Sequence, residues 1–586
     1  MEDTAVTERE SVGSNFKSRA VVARHMVRGW VYEWPRTLVF LIVALILAFF
    51  VLYPLGILFY RSLFDFETQT WTLANYARFF TEPQLARAFL TTLKLAFYTS
   101  IVCLFIALPM AWAVTRTNMP GRSLVRSLVV LTFATPSFLG AIGWIVLMGP
   151  NAGILNDLAK WVFGLDSNLF NIYTFEGMVF VLSLYVYPFL FFSVSSALDN
   201  MDPGMEQAAR ILGASNLRVI MTVTLPVVTP AILSGLVLVI LESFVIFGAP
   251  AVLGAPKFVY TLSTTVHLLF TSDPPQFDMA ATAATPILMV TTLLLLFQRL
   301  YLGKKNYVTV RGVATQPELV DVGMWKYVLS GFCIGVVFVG VGLPWLALFQ
   351  ASIVKIWGLP ITWANLTYMH YVDLFADNEL VLRAFGNSFK LAMSAAMIAV
   401  MFNFVIAWIV ERTSVPGKET LAFLAMLPLS FPGVALGMAL VLAFSAPPFD
   451  LYGTLWLFVI AYAVKGTPFA FMFARSSLKQ IHEELEQSSR ALGAGWFKTI
   501  REITLPLVKK GLLSVGTILF AQKFRDAQTS VMLYVGGLEV VSILILDFVE
   551  EAEFSTLGAM AFLVLTVNLS LVIISRRFVG KASFEL

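Results

Sequence analysis

The chain has 586 residues, of which 58% are hydrophobic and only 13% charged, and its mean hydropathy is +0.81. A soluble domain carries about 25% charged residues, so there are too few here to cover a water-facing surface, and a soluble multidomain protein is excluded. The net charge of +4 says little until the charges are placed along the chain. Cys103 and Cys333 sit inside apolar runs, outside any Cys-x-x-Cys or Cys/His cluster, so they are expected to be packing residues, with no disulfide framework and no metal site.

Residues 1–36 are polar and precede the first apolar run. A cleavable signal would place its apolar core nearer the start, so this stretch is expected to be a cytoplasmic arm. Twelve runs long enough to span a bilayer, roughly 20 residues each, follow at 37–60, 88–114, 125–148, 177–198, 228–253 and 282–302, then 325–352, 384–410, 420–445, 453–475, 510–535 and 556–576. They do not alternate with period two, so a β-barrel is disfavoured. The expectation is an all-α polytopic membrane protein. Most Lys and Arg residues fall in alternate connections, at 1–36, 115–126, 199–226, 299–326, 411–420, 475–510 and 576–586. The positive-inside rule makes these cytoplasmic and predicts both termini inside. The opposite connections keep scattered bases such as Arg61, Lys160, Lys257 and Lys355, while Lys94 and Lys390 near helix ends are expected to snorkel. An acidic stretch, Asp547 to Glu553, falls outside and is expected to be a solvated face.

The chain repeats itself. Residues 206–226 read EQAARILGASNLRVIMTVTLP and residues 486–506 read EQSSRALGAGWFKTIREITLP, with ten of 21 positions identical at a separation of 280. Upstream the separation becomes 296: Arg116-Thr117 matches Arg412-Thr413, Pro120-Gly121 matches Pro416-Gly417, and Pro136 matches Pro432. Each half holds six spans, an even number, so the copies enter the membrane in the same sense, as parallel repeats about an axis along the membrane normal. This divides the chain into an arm (1–36), a first six-helix domain (37–302), a linker (303–325) and a second six-helix domain (326–586), with one path expected between the halves.

The repeated segment predicts two short helices on the cytoplasmic side. Asp202-Pro203 suits a helix start, Glu206, Ala209 or Arg210 and Gly213 share a face, Gly213 can end the helix, and Ser215 or Asn216 can start a second. Pro226 is expected to stop that second helix before the fifth span. In the second half His482 replaces the Asp cap, with Glu483 and Glu484 favouring the helix start. A single such loop could be an ordinary interfacial helix; two copies at equivalent places favour a docking element.

These loops resemble the EAA coupling motif of ABC importer permeases: Glu-Ala-Ala, three residues, Gly, nine residues, Ile-x-Leu-Pro. Gly213 and Gly493 take the glycine position and Leu225-Pro226 and Leu505-Pro506 the end. The motif's Glu is replaced by Gln207 and Gln487, with Glu206 and Glu486 one residue earlier, and Ala208-Ala209 become Ser488-Ser489 in the second copy. The resemblance implies the type I ABC importer permease fold. It also implies that each loop docks in a cleft of a separate ATPase subunit through residues including Arg210 and Arg490. The turns RTNMPGR (116–122) and RTSVPGK (412–418) resemble those of ferric-iron, polyamine and phosphonate permeases; on physical grounds they are plain positive-inside turns.

Glu242 lies 16 residues past Pro226, about 24 Å along a helix, and the matching region of the second half carries Lys523, Arg525 and Asp526. Charges at such depth rarely face lipid. They either line the pathway or its gate, or form an ion-pair network between the halves, for example Glu242 with Lys523 or Arg525. The surrounding ESFVIFGAP (242–250) resembles the fifth-span segment of ferric-type fused permeases.

The sequence holds no Gly-x-x-x-x-Gly-Lys-[Ser/Thr] loop, nucleophile elbow or His-Glu-x-x-His, so the chain is not expected to be an enzyme or to hold a cofactor; ATP and Mg²⁺ would sit on the partner. The reading is a permease of an ATP-driven importer in the bacterial inner membrane. Its partners would be two copies of an ABC ATPase, a periplasmic or lipid-anchored binding protein and the bilayer, with no nucleic acid. By resemblance the cargo is ferric iron or a ferric complex, with thiamine, aminoethylphosphonate or polyamine as alternatives. A twelve-helix secondary transporter would need no helical loop repeated between its fourth and fifth spans, and a membrane enzyme would need a convergent catalytic cluster.

Overall fold

The computed structural model describes residues 34–65, 69–298, 300, 319–359, 361–376 and 378–579. The expectations for the N-terminal arm and for most of the linker at 303–325 fall outside them. Among the described residues, ten helices are long and apolar enough to cross a bilayer, and two bent pairs bring the number to twelve if each pair is one span. The bent pairs are the third span, Arg122–Thr132 with Ser137–Met148 (96°), and the ninth, Lys418–Ser430 with Gly433–Phe444 (110°). The expected continuous helices at 125–148 and 420–445 are therefore broken, and the cause is local. Pro136 and Pro432 have no N–H to donate and disfavour helical backbone at the residue before them. Thr135 and Phe431 accordingly turn extended, with ψ of 126° and 122°.

Side-chain ties show that each broken pair still makes one crossing. Arg116 ends the second span (Pro83–Arg116) and lies 3.5 Å from Glu206, which follows the fourth span (Phe175–Asn200). The two connections thus share one face, and an even number of crossings must separate them. The fourth span supplies one, so the bent third supplies the other. Arg412 and Glu486, 3.3 Å apart, repeat this after the eighth span (Glu379–Arg412) and the tenth (Leu455–Lys479). The end of the linker joins the same face: Asn118 donates to Asp321 at 2.8 Å, and the Val320 N–H to the Arg116 carbonyl at 2.8 Å.

The fifth and eleventh runs also differ from expectation at their far ends. The fifth helix stops at Val245 and is followed by the short helix Gly248–Leu253. The eleventh stops at Phe524, and Asp526 caps a new helix, Ala527–Leu533, by accepting from the Thr529 N–H at 2.8 Å. A capping carboxylate favours a helix start where it stands, so the apolar stretch cannot continue straight through 535.

Chain order does not give packing order, because the first span of each half leans on the other half. In the first span (Trp34–Leu63), Phe40, Val43, Leu47, Val51 and Leu58 belong to the core built mainly from the second half, and Phe49 and Tyr53 meet Phe444 at 5.5 and 5.8 Å between ring centroids. Reciprocally, Cys333 and Val337 of the seventh span (Trp325–Ser352) sit in a core with Cys103, Ala107 and Tyr187. Both cysteines are free and buried there. Pro344 deprives the Gly340 carbonyl of its helical donor, and the buried Tyr185 hydroxyl of the fourth span donates to it instead at 2.6 Å. Leaving such a carbonyl unpaired costs about 1–3 kcal/mol. The two six-span segments therefore clasp one another.

Candidate coupling loops and intramembrane charge cluster

Each repeated loop folds as two short helices. In the first, Gly204–Ile211 starts beside Asp202, whose carboxylate accepts from the Gly204 N–H at 2.9 Å. It ends at Gly213, which takes a φ of +86° that glycine adopts at little cost. The Gly213 and Ala214 N–H groups then close on the Arg210 and Ala209 carbonyls at 2.9 and 3.0 Å. Gly493 repeats this at φ +85°, with bonds to Arg490 and Ser489. Ser215 caps the second helix by accepting from Arg218.

That second helix does not stop at Pro226. Asn216–Val219 runs through a π turn, Ile220–Thr224, into Leu225–Val245 as one 30-residue rod, and Trp496–Phe524 does the same through Ile500–Thr504. A proline is tolerated in a first helical turn, and the wider π turn moves aside the carbonyl its ring would strike. Leu225 and Leu505 donate five residues back, to Ile220 and Ile500. The loop's second helix is thus the near end of the membrane span itself.

The acid of each loop points inward. Glu206 is buried; it lies 3.5 Å from Arg116 and 3.9 Å from Arg210, and accepts from the Thr224 hydroxyl at 2.6 Å. Glu486 is buried with Arg412 and Arg490 both at 3.3 Å and the Thr504 hydroxyl at 2.8 Å. Arg116 and Arg412 are therefore more than basic ends of a turn. The Arg116 side chain is 1% exposed and also donates to the Met201 carbonyl; Arg412 donates to the Leu478 and Ile481 carbonyls at 2.7 and 2.8 Å.

The rest of each loop is more open. Gln207, Ala209 and Arg210 are half-buried and Ala208 exposed; Gln487 and Ser488 are exposed, while Ser489 and Arg490 are half-buried. Leu225 and Leu505 are half-buried and Pro226 and Pro506 exposed. Outermost stand apolar side chains: Ile211 at 85% and Leu212 at 87% exposure in one loop, Leu492 at 89% and Phe497 at 63% in the other. Large apolar groups held out in this way mark contact surfaces.

The intramembrane charges gather around Asp526. Lys465 of the tenth span places its ammonium 2.8 Å from the Asp526 carboxylate and 3.0 Å from the Thr529 hydroxyl. Lys523 is 3.9 Å from the same carboxylate, and Arg525 closes the eleventh helix. Gly433 makes room for this arrangement, since a Cβ there would lie 2.5 Å from the Lys465 ammonium. Of the two bases considered from sequence as partners of Glu242, Lys523 and Arg525, Lys523 turns instead to Asp526.

A family model described as the binding-protein-dependent transport system inner membrane component matches residues 103–304 and again 403–583. The chain belongs to that family. Among similar proteins, the ferric transport system permease protein FbpB of Actinobacillus pleuropneumoniae is 26% identical over 545 residues, covering 92% of this chain and 77% of its own. A putative ferric transport system permease protein FbpB 1 of Haemophilus influenzae is 25% identical over 507 residues, 86% and 78% of the two chains. The sulfate transport system permease protein CysT of Escherichia coli is 29% identical over 279 residues, which is 94% of its length but 47% of this chain. A relative of half the size that aligns almost end to end is what a doubled unit predicts.

The permease is thus a multi-pass transport component with two fused copies of one unit. Sequence reasoning located its loops but missed three participants. Arg116 and Arg412 were visible as a repeated Arg-Thr pair, yet their burial depends on a fold that brings the second and fourth spans together. Lys465 was visible as a charge within a span, a signal that alone warranted notice.

Proposed function

We propose that this permease forms the translocation pathway of an ATP-driven importer for ferric iron or a ferric complex, and that two ATPase subunits dock on residues 202–226 and 482–506. The observation that carries this is the duplicated loop whose second helix is continuous with a membrane span. A displacement applied at Gly213 or Gly493 has a rigid rod to travel along. The exposed Ile211–Leu212 and Leu492 faces provide apolar contact for the partner, while ATP and Mg²⁺ are held on the partner alone. On this reading both termini are cytoplasmic, as the concentration of Lys and Arg in alternate connections favours. A binding protein delivers cargo at the opposite face. Closure of the ATPase pair draws the loops together, and the clasped halves rock about the path between them. The ferric cargo is favoured by the relatives that match nearly the full length of the chain. Glu242, Lys523, Arg525 and Asp526, with Lys465, are assigned to the gate.

The test is reconstitution in proteoliposomes with the ATPase and binding protein encoded beside the permease, scoring ATP-dependent uptake of radiolabelled iron. Uptake that needs the ATPase subunit and hydrolysable ATP is expected. Full uptake by the permease alone, driven by an ion gradient, overturns the coupling. Uptake of another cargo with iron ignored overturns the substrate.

A further inference from the structure

We infer that Arg116 and Arg412 are positioning residues that transmit loop movement into the second and eighth spans, and that Glu206 and Glu486 serve them as inner joints rather than as contacts for the ATPase. This rests on the docking role proposed above.

Four chain segments converge on each buried carboxylate–arginine pair. Glu206 belongs to the loop's first helix, Arg116 to the end of the second span and Thr224 to the π turn that opens the fifth span; the Met201 carbonyl, at the end of the fourth span, takes another nitrogen of Arg116. The second half assembles the equivalent set on Glu486. With side-chain exposures of 5% and 2%, neither acid is available to a partner. Buried ion pairs add little net stability over apolar packing of the same volume. What they fix is geometry: a charge in a dry site tolerates no separation from its counter-charge. A loop tied in this way cannot shift without carrying the ends of the second, fourth and fifth spans with it. Without the arginine, the loop still moves with the fifth span, to which it is covalently continuous, while the second span is left behind.

The experiment uses the whole complex of permease, ATPase and binding protein in proteoliposomes, with Arg116→Met and Arg412→Met combined. The ATPase subunits are expected to co-purify and ATP hydrolysis to persist, while cargo moved per ATP falls about tenfold, within the usual range of coupling between sites. Exchanging the partners, Arg116→Glu with Glu206→Arg, is expected to recover part of the loss caused by Arg116→Glu alone. If the double Met variant does not accumulate, Arg116→Lys with Arg412→Lys gives the same readout, because a compact ammonium lacks the rigid planar fork with which the guanidinium holds carboxylate and carbonyl from separate nitrogens. An unchanged ratio of transport to hydrolysis overturns the inference. So does a parallel loss of hydrolysis and of bound ATPase, which would make the arginines part of assembly only. If the wild-type permease retains no ATPase at all, the docking proposal fails instead.

Discussion

The two ends of the permease treat its duplication in opposite ways. On the loop face the halves repeat the same arrangement: Glu206 and Glu486 accept from Thr224 and Thr504 at 2.6 and 2.8 Å, and Gly213 and Gly493 share a left-handed φ. Between the halves they diverge. Lys465 corresponds to Tyr185, Lys523 to Ser243 and Asp526 to Ile246. One copy holds an ion-pair cluster where the other has a tyrosine satisfying the Gly340 carbonyl. The lesson is that symmetry persists where the halves would meet like partners and is lost where they would share one cargo, which has no need of a matched pair of sites.

The strongest attack on this contrast is at the symmetric end. Gly213→Pro or Gly493→Pro demands a φ near −65° where +86° or +85° is present and deletes a bonded N–H, a change of about 3 kcal/mol or more. Either variant should reach the membrane at normal levels yet bring ATP-driven uptake to background; uptake at the wild-type rate by both would refute the coupling role. At the asymmetric end, Lys465→Met leaves the Asp526 carboxylate without its nearest counter-charge and should lower stability by about 3–5 kcal/mol, read as thermal unfolding of the purified complex. Tyr185→Phe, at the matching position, orphans only a carbonyl and should cost about 1–3 kcal/mol. Equal losses would mean that the halves differ in composition but not in what holds them.

Smaller effects sharpen the picture outside the spans. Burial, and then the charges of Glu550, Glu551 and Glu539, push the Asp547 carboxyl from 3.8 up to about 6. A carboxyl raised in the folded state stabilises the fold while protonated. That contribution is complete below the unfolded value near 3.8 and is lost as pH rises through about 6. Asp547→Asn should therefore gain on the wild type in thermal stability between pH 4 and pH 7, by less than about 1 kcal/mol because the group is half-exposed and screened. Smallest is Arg126→Ala. Arg126 grips Asp199 with two bonds of 2.8 and 2.9 Å, but both side chains are about 40% exposed, so the loss in thermal unfolding should stay below about 1 kcal/mol.

Much of the architecture is written in the sequence itself. Long apolar runs fixed the class, because a bilayer imposes a length that composition alone can meet. The internal repeat fixed the parallel sense of the halves, because six crossings return a chain to its starting side. Gly213 and Gly493 disclosed where the first helix of each loop ends, since the turn they make is a local demand on one residue. Tertiary structure alone decided how the first spans exchange between halves, which base answers Asp526, and that Glu206 and Glu486 face inward onto Arg116 and Arg412. Those outcomes depend on which helices become neighbours, and a pairing between residues 74 or 90 positions apart leaves no mark on the periodicity of either one. The continuity of the fifth and eleventh rods past Pro226 and Pro506 was hidden for a related reason: a proline forbids one hydrogen bond, and only the surrounding turn determines whether the helix ends or widens around the gap.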